Sequence, residues 1–133
     1  NVDVMISRDT DSRLNSREKA AVEEWLASNK DFHVMRDHPY HTTSILGGMW
    51  GVRGNLLANM NLLIKRYKKG NFWQVDQNFL GEVVYPLVEQ EVLAHDEFFA
   101  KKPYPTPRKG RFFVGQAFNA EDQPLHPEHM DML

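Results

Sequence analysis

Residues 2–28, VDVMISRDTDSRLNSREKAAVEEWLAS, decide the reading of the fold. Val2, Val4 and Ile6 alternate, with Met5 interposed, and predict a buried strand over residues 2–7. A charged turn follows over residues 8–14. Asn15 then stands three residues before Glu18, the spacing of a capping box. Ala21, Val22, Trp25 and Leu26 recur on one face of the helix this starts, about three turns long.

The rest of the chain extends this pattern. FHVMR (32–36) predicts a second strand, and DHPYHTTS (37–44) an irregular segment, since Pro39 disfavours helix at His38. ILGGMWGVRG (45–54) holds four glycines and reads as a loop with a short strand around Met49–Val52. NLLANMNLLIKRYKK (55–69) carries Leu56, Met60, Leu63, Ile64 and Tyr67 at helical spacing, with Gly70 as a stop. VDQNFLGEVVYPLVEQEVL (75–93) predicts a helix from Asp76 with Phe79, Leu80, Val83 and Val84 inward, interrupted or kinked at Pro86. KKPYPTPRKG (101–110) is a proline-rich surface loop and RFFVG (111–115) a short strand. The element order predicts an α/β domain over residues 1–118, followed by a polar, mobile tail over 119–133.

Composition narrows the function classes. With 133 residues, 41% apolar and 26% charged, the chain suits one globular domain of ordinary core size. No apolar run approaches the roughly 20 residues of a membrane span, and a net charge of -2 gives no reason to expect nucleic acid as a partner. The absence of cysteine excludes disulfides and thiolate metal sites, and fits a cytoplasmic location.

Four groups of residues could carry chemistry. Asp9 and Asp11 follow an apolar strand at its carboxyl end, where open α/β sheets bind ligands. In a turn both carboxylates can face one hard cation, Mg²⁺ or Mn²⁺, while Arg8 and Arg13 neutralise phosphate oxygens. A chain with nine aspartates holds about one such D-x-D by accident, so a merely charged turn fits the residues equally well. Gly47 and Gly48 would let a backbone approach a ligand closely, and Trp50 would offer a flat wall for a sugar ring or simply a core side chain. Asp76 and Gln77 open a helix, where Asp76 serves as a cap or the pair holds and deprotonates sugar hydroxyls. His95 beside Asp96 would ligate a metal or pair with its neighbour. His38 and His41, like His126 and His129, stand three apart rather than at the i, i+4 spacing of a helical zinc pair, so zinc is not expected.

The ordered series RDTDSR (8–13), RDHPYH (36–41), GGMWG (47–51), DQNFL (76–80), HD (95–96) and FVG (113–115) resembles the second half of GT-A-type glycosyltransferases, the nucleotide-diphospho-sugar transferases. The resemblance runs from about Val4 to Phe118. It implies a partial GT-A-like fold, a three-layer sheet with flanking helices that lacks the N-terminal nucleotide-binding half. It also implies that Asp9 and Asp11 bind Mn²⁺ or Mg²⁺ and through it the donor diphosphate. Gly47 and Gly48 would approach donor sugar and acceptor, Asp76 and Gln77 would contact the transferred sugar or act as base, and His95 would complete the metal site. The implied partners are a nucleotide-sugar donor and a glycan or small acceptor.

Eight residues precede Asp9, where a GT-A domain carries a βαβ region of about 90 residues. The chain is therefore expected to be a fragment or a short relative with an exposed sheet edge, which a homo-oligomer would cover. Two other functions stand beside transfer: a non-catalytic oligomerising module, and a metal-dependent phosphoesterase that adds Asp37 and Asp96 to the carboxylates.

Overall fold

A computed structural model of the chain describes residues 3–67 and 75–133. Its centre is a four-stranded sheet in the order β1-β3-β2-β4, formed by β1 (Val4–Arg8), β2 (Phe32–Arg36), β3 (Met49–Arg53) and β4 (Val92–Asp96). β3 runs antiparallel to both β1 and β2, and β4 runs parallel to β2. The domain is thus mixed α/β with an open mixed sheet. Among the described residues, no helix is long and apolar enough to cross a membrane.

The first helix forms as its sequence dictates. α1 (Ser16–Ala27) starts where Asn15 Oδ1 accepts the Glu18 N–H at 2.8 Å, satisfying one free donor of the first turn. Ala21 and Trp25 are fully buried, whereas Leu26 is 40% exposed and does not join the inner face. The Trp25 ring stacks on His33 at 5.2 Å, and its Nε1–H donates to Lys30 O at 2.9 Å. Gly51 in β3 makes room for that ring, since a Cβ there would lie 2.9 Å from the indole.

Alternation along β2 divides the core between two faces. Phe32 and Val34 join Ile45, Trp50, Val52 and the run Phe79, Leu80, Val84, Val88 on one side. Met35 joins Ala21, Met49, Tyr104 and Val114 on the other. Full burial of such side chains stabilises the fold by about 1.5–3 kcal/mol each before entropy is counted. The second layer is one broken helical run: α3 (Val75–Phe79), a π-turn over Leu80–Val84, α4 (Tyr85–Val88) and a 3₁₀ turn over Glu89–Glu91. The π-turn ends just before Pro86, whose ring and missing N–H cannot continue an α-helical ladder. The expected interruption is present.

Four local expectations are corrected. β1 is a strand but not a buried one: Val4, Met5 and Ile6 are 38%, 39% and 42% exposed, because β1 lies at the sheet edge. The helix expected from residue 55 begins only at Met60 and runs to Arg66 (α2), with turns over 54–59; none of its residues is buried, and Ile64 is 55% exposed. The Gly70 stop lies outside the described residues. Val92 and Leu93, expected to end the helix, instead open strand β4, and RFFVG is a turn rather than a strand. Phe113 and Val114 are nevertheless buried, because the loop packs them under the sheet. The segment from Asn119 folds back, with a 3₁₀ turn over Pro127–Met132 fixed by His38 Nε2–H donating to His129 O at 2.8 Å.

One buried carboxylate ties these parts together. Asp37, fully buried just past β2, accepts from Arg17 Nε at 3.0 Å and Arg17 Nη2 at 2.9 Å. It also accepts from Arg108 Nη2 at 2.9 Å and the Val114 N–H at 2.9 Å. Arg17 lies over the Tyr104 ring at 4.0 Å. Removing a partner from such a network leaves buried charge uncompensated. Asp37→Ala is expected to lower unfolding free energy by about 3–5 kcal/mol, measured by urea denaturation. A loss within the ordinary range of surface substitutions would show that the network is dispensable.

Candidate functional site

Three segments far apart in sequence meet in one open cleft of about 400 Å³, lined by Asp9, His41, Gly47, Gly48, Asp76 and Gln77 among others. Asp9 and Asp11 sit on the turn after β1, which closes as Ser12 Oγ–H donates to Asp9 O at 2.9 Å. The Phe118 N–H donates to Asp11 O at 2.8 Å and pins the turn to the C-terminal loop. Glycine at position 48 lets the Asp9 side chain lie where it does: a Cβ there would fall 2.4 Å from the Asp9 carboxylate carbon and displace it. The carboxylate therefore lies directly on the backbone of the glycine loop. Gly47 completes the contact, its carbonyl accepting from Ser7 Oγ at 2.7 Å and its N–H donating to Gln77 Oε1.

Asp76 and Gln77 divide their work. Asp76 is exposed, with Oδ1 accepting the Gln77 N–H at 2.8 Å, so its carboxylate remains open to the cleft. Gln77 donates Nε2–H to Thr43 Oγ1 at 3.2 Å while its oxygen holds Gly47. Its amide is a brace between loop and helix. The expectation that Gln77 acts directly on a sugar is replaced by a positioning role.

The other sequence candidates have structural partners. Arg8 donates Nη1–H to Ser7 O at 2.7 Å and Trp50 O at 3.2 Å and pairs through Nε with Glu18, joining β1, β3 and α1. Arg13 pairs with Asp122 at 2.8 Å and lies 6.0 Å from the Phe118 ring. Neither arginine lines the cleft. Trp50 is a core side chain, 8% exposed and stacked on Phe32 at 5.4 Å, rather than an open wall. His95 is buried between His33 Nε2 and Glu24 Oε1, each 2.8 Å away, and does not reach Asp9's cleft. Asp96 accepts from Arg36 at 2.7 Å and from the Phe98 and Phe99 N–H groups, and Asp37 serves the arginine network. The phosphoesterase reading thereby loses both added carboxylates.

His41 is the cleft residue that sequence reasoning missed. In the sequence it stands only as a neighbour of His38 at a spacing that does not suit zinc. Its Nδ1 accepts the Asp37 N–H at 2.8 Å, which leaves the ring proton on Nε2 in the neutral form. Burial, then the neighbouring His38, lowers its pKa to about 3. His41 is therefore a neutral hydrogen-bond donor rather than a cation. The signal available in sequence was its place just after Pro39, which takes the segment off the strand and over the cleft.

Electrostatic crowding marks the centre of the cleft. Burial, then the Asp11 carboxylate and the Asp76 carboxylate, raise the Asp9 pKa above its ordinary value. Oxygen donors crowded by like charge suit a hard divalent cation, and the Gly48 cradle holds one of them in place. Among the described residues, the three-residue group whose ligand atoms all lie within 4.8 Å is elsewhere, at His126, Glu128 and His129. Asp9, Asp11 and Asp76 do not form such a group among the described residues.

Compared with protein-family models, curated proteins and solved structures, the chain finds no match.

A carboxyl with a raised folded-state pKa opposes folding once ionised, so stability falls as pH rises through that pKa. Asp9→Asn, which cannot ionise, is expected to raise Tm by about 1–4 °C at pH 7. The gain should vanish below about pH 4, where the unfolded carboxyl is also protonated. Scanning calorimetry at both pH values checks this; a lower Tm at pH 7 would contradict the crowding.

Proposed function

We propose that this domain carries the metal and donor-diphosphate site of a GT-A-type glycosyltransferase, which moves a sugar from a nucleotide donor to a glycan or small acceptor. The observation that carries the reading is the convergence of Asp9, Gly47–Gly48 and Asp76 on one cleft, from positions almost 70 residues apart. Asp9 and Asp11 would hold Mn²⁺ or Mg²⁺, which when bound supplies positive charge against the departing nucleoside diphosphate. Asp76 faces the same space and accepts a hydrogen bond from a sugar hydroxyl or takes its proton. Gln77 keeps Gly47 in place through the loop N–H. His41, whose Nδ1 is engaged by the Asp37 N–H, adds a neutral imidazole to the lining of the same cleft.

A second reading, a non-catalytic module that associates with itself, has its own observation. The edge strand β1 exposes Val4, Met5 and Ile6. Beside it runs a larger groove of about 970 Å³, lined by Met5, Ile6, Val52, Leu57, Ile64 and Phe79 among others. Edge strands with apolar flanks favour pairing.

Thermal shift separates the two. Mn²⁺ with a nucleoside diphosphate at 100 times Kd should stabilise the chain by about 2.7 kcal/mol, and Asp9→Ala with Asp11→Ala should abolish the shift. Gly48→Ala, which displaces the Asp9 carboxylate, should weaken the response while the protein still folds. No shift at millimolar ligand, together with a stable dimer in size-exclusion chromatography with light scattering, would favour the module instead.

A further inference from the structure

Among the described residues, three metal-ligand groups gather in the C-terminal segment. His126, Glu128 and His129 each place one ligand atom within 4.8 Å of the others. The cause is local. In an α-helix, side chains three apart are offset around the axis, but in a 3₁₀ helix of three residues per turn they eclipse. The chain takes a 3₁₀ turn over Pro127–Met132, with His126 as its cap and Pro127 at the first position, where a missing N–H costs nothing. The two imidazoles accordingly stack at 4.9 Å with 25° between their planes, and Glu128 Oε1 lies 3.3 Å from His126 Nδ1.

The turn rests on a firm base. His38 Nε2–H donates to His129 O at 2.8 Å, while His38 Nδ1 accepts the Tyr40 N–H at 3.0 Å. Both nitrogens of His38 are therefore engaged, and it serves as a support rather than a ligand. Arg111 pairs with Asp131 at 2.6 Å on the same turn.

A second observation points to an occupant. His126 and His129 border a cavity of about 220 Å³ whose wall includes His38, Tyr40, Phe113 and Gln116. Gln116 is 3% exposed, and its Oε1 accepts the Phe113 N–H at 3.3 Å, which fixes which end of the amide is oxygen. Its Nε2 is buried without a hydrogen-bond partner among the described residues. An unpaired buried donor is costly, and a water or anion on a bound ion would satisfy it.

We propose that His126, Glu128 and His129 form a binding site for a divalent transition-metal ion, Zn²⁺ or a close relative. Two imidazole nitrogens and one carboxylate oxygen suit Zn²⁺, Ni²⁺ or Cu²⁺ better than Mg²⁺, which prefers oxygen throughout. Three protein ligands leave a four-coordinate ion one exchangeable position, and Gln116 lines the same cavity as the two histidines. His126 and Glu128 are exposed, which leaves their side chains room to turn toward an ion. None of the three ligands lines the aspartate cleft, although His41 and Gly115 border both that cleft and this cavity, and the assignment does not rest on the transferase reading.

The test uses tag-free protein and Zn²⁺ alone, by isothermal titration, with Co²⁺ absorption to report coordination. The expected result is one ion per chain, with affinity falling by roughly ten-fold or more in the His126→Ala, Glu128→Gln variant. Asp9→Asn with Asp11→Asn should leave Zn²⁺ binding unchanged. Absence of saturable binding would overturn the assignment. So would binding that survives the His126 and Glu128 changes, or binding lost with the aspartates.

Discussion

The buried carboxylate of Asp37 is the constraint on which the other parts depend. A charge without exposure is tolerable only when donors surround it, and here two guanidinium groups and the Val114 N–H do so. Those donors come from α1 and from the long loop after β4, so one side chain fixes helix, sheet end and loop together. Its backbone extends the effect: the Asp37 N–H donates to His41 Nδ1 and so sets which nitrogen of His41 faces outward with a proton. The neighbouring Arg36–Asp96 pair performs a similar task between β2 and β4. The RDHPYH segment thus works first as a fastening, and only through His41 as part of a site.

The candidate cleft follows from that fastening and from a loss of side chains. With β1 and β3 paired in register, Arg8 faces Met49, so the turn carrying Asp9 emerges beside the glycine loop. Gly48 has no Cβ to hold the carboxylate off, and Gly47 presents both its N–H and its carbonyl to neighbours. Like charges from Asp11 and Asp76 then make the ionised form of Asp9 unfavourable. The C-terminal histidines differ in kind: nitrogen donors on a short 3₁₀ turn, with an unpaired amide close by.

Legibility in the sequence tracked how local the determining physics was. Asn15 and Glu18 announced α1 because a cap is satisfied within three residues. FHVMR was readable as β2, and Pro86 as a break, for equally local reasons. VLAHD was not readable as β4: its pairing is with β2, some 60 residues away, and nothing within it signals that partner. RFFVG failed in the opposite direction, having strand-like residues whose N–H groups find a carboxylate and turn partners instead of a ladder. The apolar alternation of β1 implied burial, but alternation cannot tell an edge strand from a central one.

The sequence by itself determined the α/β class and the first helix, and offered Asp9, Asp11 and Asp76 as charged candidates and the paired glycines as either a tight turn or a place of close approach. Tertiary structure decided which candidates face the cleft: Asp9, Gly47, Gly48, Asp76 and Gln77 line it, while Asp11 does not. Arg8, Arg13, Trp50 and His95 have the right chemistry but are taken by partners that only the folded chain brings near. His41 was admitted to the cleft for the same reason. A side chain's chemistry is written in its residue type, whereas its availability depends on every long-range neighbour that competes for its hydrogen bonds.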